Sequence, residues 1–295
     1  FIVTFTSYGT RLERDIDADR SGKYAHLKGL PKPLVPVGGT PLVSHWYGCL
    51  VSRVLCRMDT LLSAKFTVDD IYLITNGMNY EMFVEWAKKS GYGFPVGNIV
   101  NDRSTGNHNR IGAIGDICLM FEQKPEILRN DLMIIGGDTL FFEDFDLNEV
   151  VDAFHEHKED NLVLCYHEED TLKTGILETN EKNYVSAFLE KPDPKSTKSR
   201  NGCPCFYLYR KDTLPMFTNY VAQTKTLQEK DAPGNFLCWL HSRVPVWVYK
   251  ISGRFDIGGL DTYIKCNETF VPRKNRKVQD DRKERRQSVV YEYHV

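Results

Sequence analysis

DLMIIGGD, Asp131 to Asp138, sets four apolar residues ahead of two glycines and an acid. A short run apolar at every position, not at alternate ones, reads as a strand buried on both faces. Such strands belong to sheets covered by helices. An acid directly behind one stands at the strand's carboxyl end, where open α/β sheets bind ligands. The two glycines leave it sterically uncovered, so it can offer oxygen to a hard cation. Capping the next turn is the plainer role for the same residue.

Working outward, Phe1–Thr6 and Asp70–Thr75 read as further strands, and Leu42–Cys56, Tyr80–Ser90 and Ile111–Phe121 carry helical apolar spacing. The order is β-α-β-α-β, which predicts an α/β fold: a Rossmann-like mixed, mostly parallel sheet flanked by helices. Glu13–Gly29 is polar and reads as a long loop. Beyond Asp138 the pattern predicts helices over 146–158, 213–223, 235–243 and 260–270, and strands over 161–166, 184–189, 205–209 and 246–250. One domain over 1–271 and a charged tail over 272–295 are expected; a solvated tail is the plain reading of PRKNRKVQDDRKERR.

The 295 residues carry a formal net charge of -2, with 41% hydrophobic and 26% charged residues. That balance argues against general nucleic-acid binding but leaves room for a local phosphate pocket. No stretch is long and apolar enough for a membrane span, and the opening residues lack the pattern of a secretory leader. The eight cysteines form no CxxC pair, so no zinc spacing is present, and several sit in apolar runs as free thiols. A reducing, cytoplasmic setting is expected.

Several groups could do chemistry. In LPKPLVPVGGTPL, Leu30 to Leu42, Pro31 and Pro33 flank Lys32 and restrict its backbone, as a lysine that must meet a phosphate requires. Gly9-Thr10-Arg11 follows the first strand and pairs a close-approach turn with a phosphate-clamping guanidinium. Gly112 and Gly115 open a helix, where small residues admit a flat ring or simply pack on a strand. Glu190-Lys191-Pro192 again fixes a lysine beside a proline. Asp256, followed by Ile257, Gly258 and Gly259, is a second acid behind a strand, able with Asp138 to hold one Mg²⁺. There is no GxxxxGK[ST], GxGxxG or GxSxG motif. His155 and His157 read as surface residues, and Cys203-Pro204-Cys205 as packing and a turn.

In this order the motifs GTRL, LPKPLVPVGGTPL, GAIG, GGD, EKP and FDIGGLDTY resemble those of the sugar-1-phosphate nucleotidyltransferases, or nucleotide-sugar pyrophosphorylases. The resemblance spans Phe1 to about Phe270. It leans slightly toward mannose-1-phosphate guanylyltransferases, with glucose-1-phosphate thymidylyltransferase-like enzymes beside them. It implies the nucleotide-diphospho-sugar transferase fold and Mg²⁺-dependent transfer of a nucleotidyl group from a nucleoside triphosphate to a sugar-1-phosphate. By resemblance Arg11 and Lys32 are catalytic, Gly9, Thr10 and Gly112 bind nucleotide, Glu190 and Lys191 bind sugar phosphate, and Asp138 and Asp256 hold the metal. Glu229 or Asp231 would supply an acidic sugar contact. Oligomeric state is left open, homo-oligomers included. The chain departs from the family's glycine-rich loop at Thr6-Ser7-Tyr8. That departure keeps two alternatives in play: a non-catalytic binding or regulatory subunit, and a transferase with a non-sugar phosphate acceptor.

Overall fold

The computed structural model describes residues 2–5, 9–51, 66–89, 93–142 and 144–270. The Thr6-Ser7-Tyr8 loop, the end of the helix expected to reach Cys56, and the 272–295 tail lie outside the described residues, as do the side chains of Thr10 and Cys49.

The strands are β1 (Ile2–Phe5), β2 (Pro36–Val37), β3 (Thr40–Pro41), β4 (Ile71–Thr75), β5 (Ile99–Asn101), β6 (Leu132–Gly136), β7 (Leu140–Phe141), β8 (Asn161–His167), β9 (Gly175–Thr179), β10 (Val185–Leu189), β11 (Asn201–Cys203), β12 (Phe206–Tyr209), β13 (Val246–Lys250) and β14 (Arg254–Phe255). The helices are α1 (Thr10–Ala18), α2 (Leu42–Val51), α3 (Tyr80–Lys89), α4 (Ala113–Gln123), α5 (Leu147–Glu156), α6 (Pro215–Gln223), α7 (Leu227–Asp231), α8 (Pro233–Leu240) and α9 (Leu260–Thr269).

Ten strands form one sheet in the order β10-β9-β11-β8-β12-β6-β1-β4-β5, with β13 also paired to β8. β4 and β6 are buried at every position, as their unbroken apolar runs require. Two buried clusters, one centred on α2, α3 and α5 and the other on α4, α6 and α8, contribute residues to the two layers of core. Alternate residues of β6 divide between them: Met133 and Ile135 join the first, Leu132 and Ile134 the second.

The sheet corrects the expectation of a mostly parallel arrangement. Parallel pairing is confined to β6-β1-β4-β5 and to β8-β13. β6-β12, β12-β8, β8-β11, β11-β9 and β9-β10 are antiparallel. Between β8 and β12 no helix serves as a crossover; β9 and β10 form a hairpin, and the other antiparallel pairs of this sheet join strands that are not consecutive in the chain. β11 has three residues with a central glycine, and β9, GILET, begins with glycine and ends in polar residues, so neither carries a pattern that the sequence reading could use.

The expected 13–29 loop is also corrected. Thr10–Ala18 is helix α1, which buries Leu12 and Ile16 one turn apart against α9. Two apolar residues among acids suffice for one buried stripe, though not for an obvious helical period. His157 differs as well. Its ring stacks on Trp247 at 3.9 Å between centroids, and its Nδ1 lies 3.2 Å from Asp160 Oδ2.

One consequence of the mixed sheet positions the site. β11 and β12 run as a single ribbon interrupted at Pro204 and Cys205. β6 pairs along β12 as far as Ile135, with the Gly136 N–H donating to the Cys205 carbonyl just beyond, and β9 pairs along β11 starting at Gly175. β6 and β9 therefore lie end to end on one edge of the ribbon with a gap between them. Proline, which has no N–H, suits a point where the ladder is broken.

Candidate active site

The gap opens into a cleft of about 540 Å³. Its lining includes Gly9, Arg11, Lys32, Gly112, Asp138, Glu190, Lys191 and Asp256, so the structure gathers eight of the nine expected site residues, drawn from six separate segments. The ninth, Thr10, is the first residue of α1 directly behind Gly9.

Each parallel strand delivers a group at its carboxyl end. β1 leads to Gly9, β4 to Asn76, β5 to Asp102 and β6 to Asp138. Gly9 has φ 64, and an added Cβ would lie 3.4 Å from the Lys32 Cγ, so the turn and the lysine stem are fitted to each other. Lys32 begins a 3-10 turn after extended Pro31, with Pro33 buried beneath it. Its Nζ reaches Asp138 Oδ2 at 3.1 Å. Trp46 of α2 donates Nε1–H to the Thr139 carbonyl at 2.6 Å, tying the lysine's segment to the strand end that carries Asp138.

Asp256 Oδ1 accepts the Gly258 N–H at 2.9 Å. Asp138 and Asp256 thus each keep a second carboxylate oxygen without a hydrogen bond in the described residues. Between them electrostatically lies Arg254, which the sequence reading did not single out. Arg254 donates Nε–H to the Tyr166 hydroxyl at 2.9 Å and lines the cleft. A clue existed in the sequence, since Arg254 stands only two residues before Asp256, at the start of the short strand β14 that leads into it.

Across the gap, Lys191 has φ 46, a left-handed conformation uncommon for a non-glycine residue and frequent at binding sites. Its Nζ lies 3.6 Å from Glu190 Oε1. Burial pushes the Glu190 carboxyl above its ordinary range, although Lys191 pulls the other way. Phe188 is wedged between Gly175 and Gly234; a Cβ on either would come within 2.2 Å of its ring. Of the two acids left open in the sequence, one lies in the cleft. Asp231 lines the cleft, whereas Glu229 closes a capping box with Thr226 at the start of its own helix.

A further set lies at the β4–β5 end. Gly112 has φ 80, and a Cβ there would sit 2.8 Å from the Lys230 carbonyl oxygen. Arg110 Nη1 meets Asp231 Oδ1 at 2.7 Å. Burial first, then the charge of Asp102 and a hydrogen bond to it, raises the Asp116 carboxyl to about 8. Among the described residues, four buried side-chain polar atoms have no hydrogen-bond partner: Asn76 Nδ2, Arg110 Nε, Asp116 Oδ1 and Thr139 Oγ1. All four residues line this cleft. Buried polar groups are ordinarily paired, so their concentration here marks a surface built for a polar ligand.

Cys203 and Cys205 line the same floor, and burial raises both thiols well above their usual range, which keeps them protonated. Cys118, Cys165, Cys203, Cys205, Cys238 and Cys266 are free thiols. No helix among these residues is long and apolar enough to cross a membrane.

Known proteins share this architecture. A glucose-1-phosphate thymidylyltransferase structure from Bacillus anthracis, solved with sucrose, superposes with a TM-score of 0.63 at 19% identity, covering 93% of this chain and 98% of that one. A UDP-glucose pyrophosphorylase solved with UDP-glucose gives 0.60 at 15% identity, covering 90% and 96%. These likenesses establish the nucleotidyltransferase-type fold. In sequence, the chain is 30% identical over 162 residues to a glucose-1-phosphate adenylyltransferase of Mycoplasma mobile, a match over 50% of this chain and only 38% of that protein. The nucleotidyl transferase family matches residues 28–270, nearly the whole of the sheet and every cleft segment after α1, and the chain belongs to that family.

Proposed function

We propose that this protein transfers a nucleotidyl group from a nucleoside triphosphate to a sugar-1-phosphate. An oxygen of the sugar phosphate attacks the α-phosphorus, the bond to the bridging oxygen of the β-phosphate breaks, and pyrophosphate leaves. The observation that carries this reading is the convergence of Arg11, Lys32, Lys191 and Arg254 with Asp138 and Asp256 in one cleft, from segments far apart in sequence.

The cations address the main cost of the reaction, which is bringing two polyanions together while charge builds on the transferring phosphoryl group. Lys32, held by Asp138 and stiffened by its prolines, supplies a positioned positive charge to the α-phosphate. Arg11 extends from the Gly9 turn toward the departing end of the triphosphate. Lys191, aimed by its unusual backbone, holds the sugar phosphate on the far side of the gap, with Glu190 beside the sugar ring.

The donor set fits Mg²⁺. Two carboxylates with free oxygens, completed by substrate phosphates and water, match its preference for a few protein oxygens in an otherwise substrate-made shell. Asp138 and Asp256 would hold it, and when bound it would neutralise phosphate charge during displacement. Arg254 lies close enough to feel both acids and limits their mutual repulsion. A soluble, cytoplasmic enzyme acting on free sugar phosphates is consistent with the free thiols and with the absence of an apolar spanning helix among the described residues.

The test is pyrophosphate release on mixing the protein with Mg²⁺, each of the common nucleoside triphosphates and a panel of sugar-1-phosphates and other phosphorylated alcohols. Release in at least one sugar-phosphate pairing is expected. Tight binding with no release in any pairing would instead make the protein a binding subunit, and release only with a non-sugar phosphate would move the acceptor class.

A further inference from the structure

We infer that the cleft end formed by Asn76, Asp116 and Arg110 reads the imide edge of a uracil or thymine base. This names the nucleotide class for the transfer proposed above and rests on that proposal.

Charge divides the cleft. The cations Lys32, Arg254 and Lys191 mark the phosphate-binding stretch. At the β4–β5 end stand the carboxylates Asp102 and Asp231, with the protonated Asp116 beside them, against one lining cation, Arg110, which is already paired with Asp231 at 2.7 Å. Phosphate is repelled there. A neutral group rich in hydrogen bonds is not, and in a nucleoside triphosphate that group is the base.

Three of the four orphaned atoms belong to this end. Asn76 is only 3% exposed, its Oδ1 accepts the Asn79 N–H, and its Nδ2 has no partner. Arg110 Nε is a second unpaired donor, and Asp116 Oδ1 is an unpaired acceptor. Their order follows from their neighbours. Thr75 pairs with Asn101 across β4 and β5, and the Asp102 N–H donates to the Thr75 carbonyl at 2.9 Å, so Asn76 and Asp102 are adjacent at neighbouring strand ends. Asp116 hydrogen-bonds Asp102 and also feels the charge of Asp231, the partner of Arg110. The series therefore runs Asn76, Asp102, Asp116, Asp231, Arg110, with the acceptor between two donors.

Asp102 is fixed as an acceptor by the Ser104 N–H at 2.6 Å and the Ser104 hydroxyl at 2.8 Å. Asp116, protonated up to about 8, places its proton toward Asp102 and leaves Oδ1 as a carbonyl-like acceptor. A donor–acceptor–donor wall is complemented by an acceptor–donor–acceptor edge. Uracil and thymine present that edge as C2=O, N3–H and C4=O. Guanine offers acceptor, donor, donor; cytosine offers donor, acceptor, acceptor; adenine sets an amino group beside a ring nitrogen. Each of these leaves at least one buried group of the wall facing its like, a recurrent basis for discrimination.

Isothermal titration of the full chain with UTP, dTTP, CTP, GTP and ATP, at one Mg²⁺ concentration, tests this directly. UTP and dTTP should bind roughly tenfold or more tightly than the other three, the discrimination expected when a buried donor or acceptor goes unpaired. Asn76→Ala and Asp116→Leu should each shrink that ratio to about threefold or less while leaving the KM for the sugar phosphate in place. Asn76→Ala keeps the test open if Asp116→Leu does not fold, and the comparison in the unaltered protein needs no variant. Equal or tighter binding of a purine triphosphate or CTP overturns the inference, as does an unchanged ratio in both variants or a change confined to the sugar phosphate. Pyrophosphate release driven by GTP, CTP or ATP in preference to UTP and dTTP would refute the base assignment alone. No binding of any triphosphate would sink both this assignment and the transfer reading.

Discussion

The two halves of the sheet build their share of the cleft by different means. In the parallel half, β1, β4, β5 and β6 end side by side, and each hands at least one residue to the cavity from the segment behind it. In the antiparallel half, β9 and β10 present the start of one strand and the end of the next, so Gly175 and Glu190 arrive from opposite chain directions. The first arrangement produces a row of fixed positions, suited to a long ligand lying across strand ends. The second produces a compact corner, walled by Phe188 and its two flanking glycines, suited to one small ring. The cleft exists because the ribbon of β11 and β12 serves both halves and breaks at Pro204 between them.

Replacing the two lysines should separate these roles most clearly. On the proposed transfer, Lys32→Met removes the cation assigned to the reacting phosphorus, and kcat should fall by about 10²- to 10³-fold, the range seen when one preorganised charge-stabilising donor is removed. Lys191→Met should act mainly through the KM of the sugar phosphate. Steady-state pyrophosphate release, with near-ultraviolet circular dichroism as the control for folding, measures both. If the two variants lose kcat equally and share unchanged KM values, the division of labour between the halves is wrong.

The glycines offer a second contrast, in stability. Gly112→Ala places a methyl 2.8 Å from the backbone oxygen of Lys230 at a φ of 80, and backbone cannot move aside cheaply. A loss of about 1–3 kcal/mol is expected. Gly234→Ala meets the rim of the Phe188 ring, a side chain on the cleft wall and not backbone. Thermal unfolding should therefore fall further for Gly112→Ala, while Gly234→Ala should affect acceptor binding more.

How much of this could be read from sequence differs between the halves for the same physical reason. Leu132–Ile135 and Ile71–Thr75 are buried on both faces and advertise themselves as unbroken apolar runs. The helices between them repeat every three or four residues, so the parallel half and its loop residues could be located. β9 and β11, seated at the fork and punctuated by Gly175 and Gly202, carry little pattern of their own. The site residues legible in sequence lie within two residues of glycine or proline in strand-end or proline-fixed segments, where backbone geometry leaves a trace: Lys32, Lys191, Asp138 and Asp256. Asn76, Asp116 and Arg254 also adjoin glycines, Gly77, Gly115 and Gly253, so a neighbouring glycine alone does not mark a function; their roles arise from juxtaposition across strands. Asp116 even lies within an ordinary amphipathic helix, and only its unpaired oxygen and its closeness to Asp102 set it apart.

That closeness gives a pH-dependent comparison. Asp116 has a folded-state pKa raised to about 8 from an ordinary value of 3.8. An acid raised in this way favours the folded state fully below its unfolded pKa and loses that contribution as pH climbs toward the folded value. Stability should thus decline between about pH 4 and pH 8 by on the order of 1 kcal/mol per pH unit from this group alone. Asp116→Asn, which cannot ionise, should flatten that limb, so the variant gains on the parent as pH rises. Urea midpoints at pH 5, 6, 7 and 8 would show it; parallel curves for the two proteins would place the carboxyl in water.

The smallest effect is expected in the antiparallel corner. Glu190 is raised by burial but keeps Lys191 3.6 Å away and about a third of its side chain open to solvent. Water can replace part of any contact it makes, so Glu190→Gln, which preserves shape and one acceptor, should raise the KM for the sugar phosphate about three- to tenfold. Turnover at saturation should change less, since Gln still fills the space beside Lys191. A loss of kcat comparable to that of Lys32→Met would show that the carboxylate takes part in the phosphoryl step, and the corner would then belong to the chemistry and not only to the grip on the acceptor.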